Sequence, residues 1–288
     1  MATRSVLITG CSSGIGLTTA LHLATLPEPK FKVYATMRNI SKKADLEIKS
    51  GDALNKTLFI RELDVCKVST FEPVVDEIVK VEGTIDIVIH NAGIPCITLL
   101  ESLSEAAIRS VFDTNVIGPI LLSQLIIPIM QKQKSGHLIA ISSQAGYIGM
   151  PYHDIYSASK FGMEGFAECQ AAVLGLDNVH FSIIEPGPVL TDLSKKVAAE
   201  YRIAIASDKI DDATKKRFTG YLTSITARFH EVVQPAEDIT NVILKAITDE
   251  KPHMRYQTSK YQESIATQKF VDITGDSTLN LMEKHFKS

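Results

Sequence analysis

No charge of one sign dominates this chain of 288 residues: 30 Lys and Arg stand against 33 Asp and Glu, a formal net charge of −3. With cations scattered and balanced, a phosphate-backbone binder is excluded, and nucleic acid is not expected as a partner. Cysteine is sparse. The four thiols, Cys11, Cys66, Cys96 and Cys169, show no Cys-x-x-Cys spacing and read as reduced thiols of a cytoplasmic protein. His and Cys are scattered without ligand spacing, so no metal site is expected. An apolar leader is also missing: Met1-Ala2-Thr3-Arg4 runs straight into a strand, and Ala2 excludes the myristoylation pattern, so secretion is not expected. The longest apolar run, Ile117 to Met130, is broken by Pro119, Ser123, Gln124 and Pro128. It falls short of the ~20 residues of a spanning helix and reads as a core helix. Peripheral contact with a membrane through an exposed apolar lid stays open. Repeats and low-complexity tracts are absent.

What is present is alternation. Strand-like Ser5 to Thr9 leads to a helix from Ile15 to about Ala24, then strands at Lys32 to Met37 and Thr57 to Glu62, a helix after Thr70, and a strand at Ile85 to His90. A long helical stretch from Ser104, a strand at His137 to Ser142, a helix carrying Tyr156 and Lys160, and a strand at Val179 to Glu185 continue the pattern. This order predicts an α/β fold with a single doubly wound parallel sheet, a Rossmann arrangement with helices on both faces. One domain over residues 1–288 is expected. From Thr191 to Phe229 the pattern loosens into a polar, partly helical segment, a candidate lid over a ligand.

Gly10, Gly14 and Gly16 follow an apolar strand and open a helix, with Ser12, Ser13 and Ile15 between them. Such a turn presents backbone N–H groups and a positive helix end to a pyrophosphate. The second strand ends Thr36-Met37-Arg38, with a cation where a carboxylate for adenine-ribose hydroxyls would favour NAD. NADP(H) is therefore the expected cofactor, its 2′-phosphate drawn to Arg38. Asp64 after the third strand, and Asn91, Ala92 and Gly93 after the fourth, sit where ligands meet such sheets, although either group also suits a plain turn. Tyr156 and Lys160 at helical spacing share a face, so the ammonium is expected to lower the phenol toward the operating range. A pocket edge of Met150, Pro188, Val189, Tyr221 and Phe229 suits a long apolar ligand. His153 reads as structural or solvated, and Asp192 as a helix cap.

Thr9-Gly-x-x-x-Gly-x-Gly16, Asn91-Ala-Gly93, Asn115, Ser143, Tyr156-x-x-x-Lys160 and Pro186-Gly187-Pro188-Val189-x-Thr191 together resemble the short-chain dehydrogenase/reductase family over almost the whole chain. The resemblance implies Tyr156 as general acid for carbonyl reduction and Ser143 as the group polarising the carbonyl. It implies that Lys160 binds the nicotinamide ribose and lowers the phenol, and that Asn115 holds a water of a proton relay. Val189 and Thr191 would anchor the carboxamide. Ser142 is chemically equivalent to Ser143, and only family spacing selects the latter. A homodimer through the helix from Ser104 and the catalytic helix is likewise implied by resemblance alone.

Gly10-Cys-Ser-Ser-Gly-Ile-Gly-Leu17, Ala35-Thr-Met-Arg38 and Glu185-Pro-Gly-Pro-Val189 are similar to the branch of that family acting on retinol and estradiol. Ala35-Thr-Met-Arg38 and Glu185-Pro-Gly-Pro look more like its retinol members. Steroid members carry a lid histidine where this chain reads Tyr221-Leu222-Thr223-Ser224. Retinol members continue into a cysteine-bearing tail, whereas no cysteine follows Cys169, so anchoring by that route is not expected. The expectation is an NADPH-dependent oxidoreductase interconverting all-trans-retinal and all-trans-retinol. A 17β-hydroxysteroid dehydrogenase comes second. From another class, a non-catalytic NADP(H)-binding regulatory module is the alternative, weakened because Asn115, Ser143, Tyr156 and Lys160 are all present.

Overall fold

The computed structural model describes residues 3–28, 31–190 and 201–271. Strands β1 (Arg4–Ile8), β2 (Phe31–Met37), β3 (Leu58–Glu62), β4 (Ile87–His90), β5 (Gly136–Ile141), β6 (Val179–Glu185) and β7 (Arg255–Gln257) form one parallel sheet in the order β3-β2-β1-β4-β5-β6-β7. The strands read as near-continuous apolar runs because both faces are covered. Val6, Ile8, Val33, Ile87 and Ile139 pack on one side with helices α1 (Gly14–Ala24) and, near the end of the chain, Ala236–Thr248. Leu7, Tyr34, Val88, Leu138 and Ile183 face the other, where α3 (Phe71–Glu82), α5 (Gly118–Gln133) and α6 (Asp154–Leu174) lie. A short α2 (Ala44–Ser50) follows β2.

The strand order reverses between β1 and β4, which pair in register from Val6 opposite Ile87. Ligands of such sheets bind outside the carboxyl ends of the strands at this switch. The turn after β1 and the loop after β4 are held together there. Thr9 Oγ1 accepts from the backbone N–H groups of Asn91 and Ala92, both at 3.1 Å, and Asn91 Nδ2 donates to the carbonyls of Thr9 (2.9 Å) and Gly10 (3.1 Å).

The helical stretch expected from Ser104 is not continuous. Ser104 caps α4 (Glu105–Phe112) by accepting from Ala107 N, and a π-helical segment, Asp113–Ile117, precedes α5. The span Glu105–Gln133 is long and apolar enough to cross a membrane by composition, but half of its most apolar window is buried inside the fold. Leu122, Ile126 and Met130 point into the core, as expected of a core helix. Beyond β6, α7 (Asp212–Val232) and α8 (Ala236–Thr248) lead to β7 and α9 (Lys260–Val271). Residues 201–206 are helical, so the described part of the expected lid is more regular than its polar sequence suggests. Neither α2 nor the three-residue β7 announced itself by periodicity.

Two core histidines make stability depend on pH. Burial pulls His90 down to about 4, and burial, then His180 and Arg4, pull His137 down to about 3. Unfolded, both take a proton below about 6.5; folded, they resist it, so stability present above pH 6.5 is lost as pH falls toward 4. At about 1.4 kcal/mol per unit the loss is roughly 3 to 5 kcal/mol for each ring. Glu185, pushed up to about 7 by burial and Glu164, works the other way, gaining stability as pH falls from 7 to the ordinary carboxylate range. The two histidines outweigh it, and Tm is expected to drop steeply between pH 6.5 and 4. The variant His137→Gln, tested by calorimetry, should show a flatter profile; an equally steep one would assign the loss elsewhere.

Candidate active site

The turn from β1 into α1 carries Gly10, Ser12, Ser13, Gly14, Ile15 and Gly16. Gly10 and Gly14 have positive φ, +75° and +58°, which favours glycine. Gly16 is set by close approach: a Cβ there would fall 2.4 Å from Asn91 Nδ2 and 2.5 Å from the Gly10 carbonyl. Ser13 begins α1 without a side-chain cap, and no acidic residue lies in the first turn. The N–H groups at this helix end thus keep both their donors and their positive dipole for an anion. Arg38 follows β2, exposed and without a carboxylate partner among the described residues. Asp64 follows β3, where its Oδ1 accepts from Cys66 N at 3.0 Å, a turn-forming bond that leaves the second carboxylate oxygen for a ligand.

Gly93, Asn115 and Lys160 converge beneath the loop after β4. A Cβ on Gly93 would lie 3.4 Å from Asn115 Oδ1 and 3.6 Å from Lys160 Nζ. Asn115 lies in the π segment, a local widening that turns its side chain inward. Its Oδ1 accepts from Ile94 N at 2.8 Å, and its Nδ2 donates to the Ile94 carbonyl (2.9 Å) and Ser159 Oγ (3.0 Å). The side-chain amide is therefore committed to holding the loop. Ser159 was not singled out in the sequence, although its place between Tyr156 and Lys160 was visible.

Ser142 and Ser143, equivalent in the sequence, part company in the structure. The Ser142 hydroxyl donates to Glu164 Oε1, inside the fold. The Ser143 hydroxyl lies beside the Tyr156 phenol and accepts from Ala145 N at 3.1 Å. Tyr156 and Lys160 lie on one face of α6, with Nζ 5.7 Å from the Tyr156 ring centroid and donating to the Ile141 carbonyl at 2.8 Å. Burial pushes the Tyr156 phenol up, and the neighbouring Ser143 hydroxyl opposes it. Lys160 is pulled down to about 8 by burial, with Glu164 resisting. This reverses the direction expected for Tyr156 from the lysine charge. Desolvation wins because the ammonium is directed to a carbonyl and stands off from the phenol.

The expected pocket edge is partly assembled. Tyr221 of α7 is buried, its ring centroid 5.1 Å from Tyr152 and 6.3 Å from His153, just before α6. Tyr152 holds positive φ, +60°. His153 Nδ1 bonds the Pro151 carbonyl at 2.7 Å, and burial pulls its pKa down, so it is a buried structural group, not a solvated one. Met150 accepts from His153 N through its carbonyl (3.1 Å). The Pro188 carbonyl accepts from Gln234 N (2.9 Å), and Val189 is buried as a bridge to Gln234. Among the described residues the Phe229 ring packs against His230 and makes no ring contact with Tyr152, His153 or Tyr221. Thr191 and Asp192, with the lid segment 191–200, lie outside the described residues.

A switch-point glycine turn, a Ser–Tyr–Lys group at the ends of β5 and α6, and a sheet of this order define an oxidoreductase of the α/β class. The family model "short chain dehydrogenase" matches residues 4–202, and the chain belongs to that family. It is 39% identical over 275 residues to human retinol dehydrogenase 8, covering 95% of this chain and 87% of that protein. To human 17-beta-hydroxysteroid dehydrogenase type 1 it is 36% identical over 287 residues, 99% and 86% of the two chains. The fold matches a crystal structure of a short-chain dehydrogenase from Streptomyces avermitilis at a TM-score of 0.78, 22% identity and coverage of 99% and 97%.

Proposed function

We propose that this protein reduces a lipophilic carbonyl with NADPH, or oxidises the matching alcohol, with all-trans-retinal and all-trans-retinol as the first pair and a 17-ketosteroid as the second. The observation that carries the reading is the Ser143 hydroxyl set beside the Tyr156 phenol, with Lys160 on the same helix face as Tyr156. The names of the two relatives support a retinoid or steroid substrate. The glycine turn, the uncapped start of α1 and the exposed Arg38 suit a phosphorylated dinucleotide. When bound, the nicotinamide supplies the hydride.

The residues of this chain then have separable tasks. As negative charge builds on the carbonyl oxygen, Ser143 donates a hydrogen bond to it and Tyr156 Oη gives it a proton. A phenol held up by burial keeps that proton at neutral pH, which favours reduction; oxidation needs the phenolate and gains at higher pH. Lys160 holds the ribose end and places a positive charge beneath the phenol. Asn115, pinned to Ile94 and Ser159, keeps the loop after β4 at a fixed height over Lys160. Tyr221, Met150 and Pro188 line the apolar approach.

Following NADPH absorbance with all-trans-retinal and estrone in parallel tests the substrate. Rapid loss with retinal and at least about tenfold less with estrone is expected, since one missing polar partner costs about 1.4 kcal/mol or more. Preference for estrone would mean that a residue other than the one at Ser224 receives the steroid oxygen. Binding of NADPH with no turnover of any carbonyl would leave the regulatory-module reading.

A further inference from the structure

Glu164 lies one helical turn beyond Lys160 on α6 and is 3% exposed. A carboxylate so deep in the fold requires partners. Its Oε1 accepts from Ser142 Oγ and its Oε2 from the Arg255 guanidinium at the start of β7. Arg255 also pairs with Glu185 at the end of β6 and with the half-exposed Glu168 on α6, and Gln257 donates to the second oxygen of Glu185. Gly146 closes the cluster from above: a Cβ there would fall 2.0 Å from Glu164 Oε1 and 2.3 Å from Ser142 Oγ. Hydrogen bonds and packing thus fix the Glu164 carboxylate at one place beneath the Ser143–Tyr156–Lys160 group.

The surroundings of Lys160 show what that place does. β5 presents the Ile141 carbonyl, α6 the Tyr156 ring and Glu164, the loop after β4 Gly93, and the π segment Asn115. Glu185 on β6 and Arg255 on β7 face Glu164 in turn. Burial pushes Glu164 itself up, and the Ser142 and Arg255 bonds oppose that and favour its ionised form. As a carboxylate it is the negative charge that opposes the burial of Lys160, through space and without a direct ion pair because its oxygens are turned to Ser142 and Arg255. We propose that Glu164 is the counter-charge of Lys160, clamped by Ser142 and Arg255, and is therefore a positioning residue for the reaction. The proposal rests on the reading of Tyr156 and Lys160 as the reacting pair.

The test is Glu164→Gln, in which Arg255 keeps Glu185 and Glu168 as partners. In the wild type the basic limb of kcat for carbonyl reduction should fall near the Lys160 value of about 8. In the variant it should move about one unit lower, with kcat reduced about fivefold at pH 8 and little at pH 6. The side-chain 15N resonance of Lys160, assigned by its loss in Lys160→Arg, should show the same shift of its titration without any turnover. An unmoved midpoint in folded Glu164→Gln overturns the proposal. Ser142→Ala keeps the carboxylate charge and should leave the midpoint within a few tenths of a unit; an equal shift there would assign the effect to packing. Should the amide variant not fold, Glu164→Asp carries the test, since the retained charge must hold the midpoint, and a one-unit fall refutes the counter-charge. A wild type that turns over no carbonyl would defeat the catalytic reading, while the 15N titration would still decide the role of Glu164.

Discussion

Replacing Tyr156 by phenylalanine is expected to lower kcat for carbonyl reduction on the order of 10³-fold while changing NADPH binding by less than about threefold. The substitution removes one oxygen, the atom that lies beside the Ser143 hydroxyl and would give up the proton. The ring stays, and with it the contact to Lys160 at 5.7 Å, so the helix face and Lys160 are undisturbed. General acid catalysis contributes about 10²–10⁴-fold, and the partly buried Tyr156 hydroxyl is the donor lost. Single-turnover loss of NADPH absorbance measures the chemical step, and enhancement of NADPH fluorescence on binding measures the cofactor. Retention of a tenth or more of the wild-type rate would show that another group gives the proton, and Tyr156 would lose its assigned role. A parallel fall in NADPH affinity would instead point to a displaced α6.

Much of this site was legible because it is built from local rules. The glycine turn, the alternation of strand and helix, and the Tyr156–Lys160 spacing each encode geometry within a few residues. What was not legible depends on partners distant in the chain. Ser142 and Ser143 differ only because Glu164, 22 positions on, claims the first. Glu164 itself could have been flagged by its place one turn after Lys160, but Arg255 could not, since it reaches the site from a three-residue strand with no periodic signal. The break at Asp113–Ile117 was hidden in the stretch from Ser104, which reads as ordinary helix. It adjoins a tertiary contact: Gly118 passes so close to the loop after β3 that a Cβ would meet the Val65 carbonyl at 2.3 Å, and the backbone widens just before that crossing. The direction of the Tyr156 shift was misjudged because spacing reports which charges are near and says nothing of how much water is lost.

Exchanging Arg38 for aspartate should invert the coenzyme preference, lowering kcat/KM with NADPH by about 10²-fold or more while that with NADH holds or rises a fewfold. A charge-assisted bond to a phosphate is worth about 1.5–3 kcal/mol, close to tenfold to a hundredfold, and the new carboxylate adds repulsion against a dianion. Arg38 sits one residue past β2, exposed and with no competing carboxylate partner among the described residues, so its guanidinium is available to a ligand. The register helps to define what else can act there: Met37 pairs with Glu62 on β3, which brings one acidic side chain to the neighbouring strand end. With Arg38 in place that acid is offset; with aspartate the corner carries two carboxylates, suited to ribose hydroxyls and hostile to a 2′-phosphate. The ratio of kcat/KM values for the two coenzymes, measured on one carbonyl substrate at fixed ionic strength, reads the result directly. An unchanged ratio would move the 2′-phosphate to Ser12 and Ser13, whose own alanine variants would then have to carry the hundredfold loss.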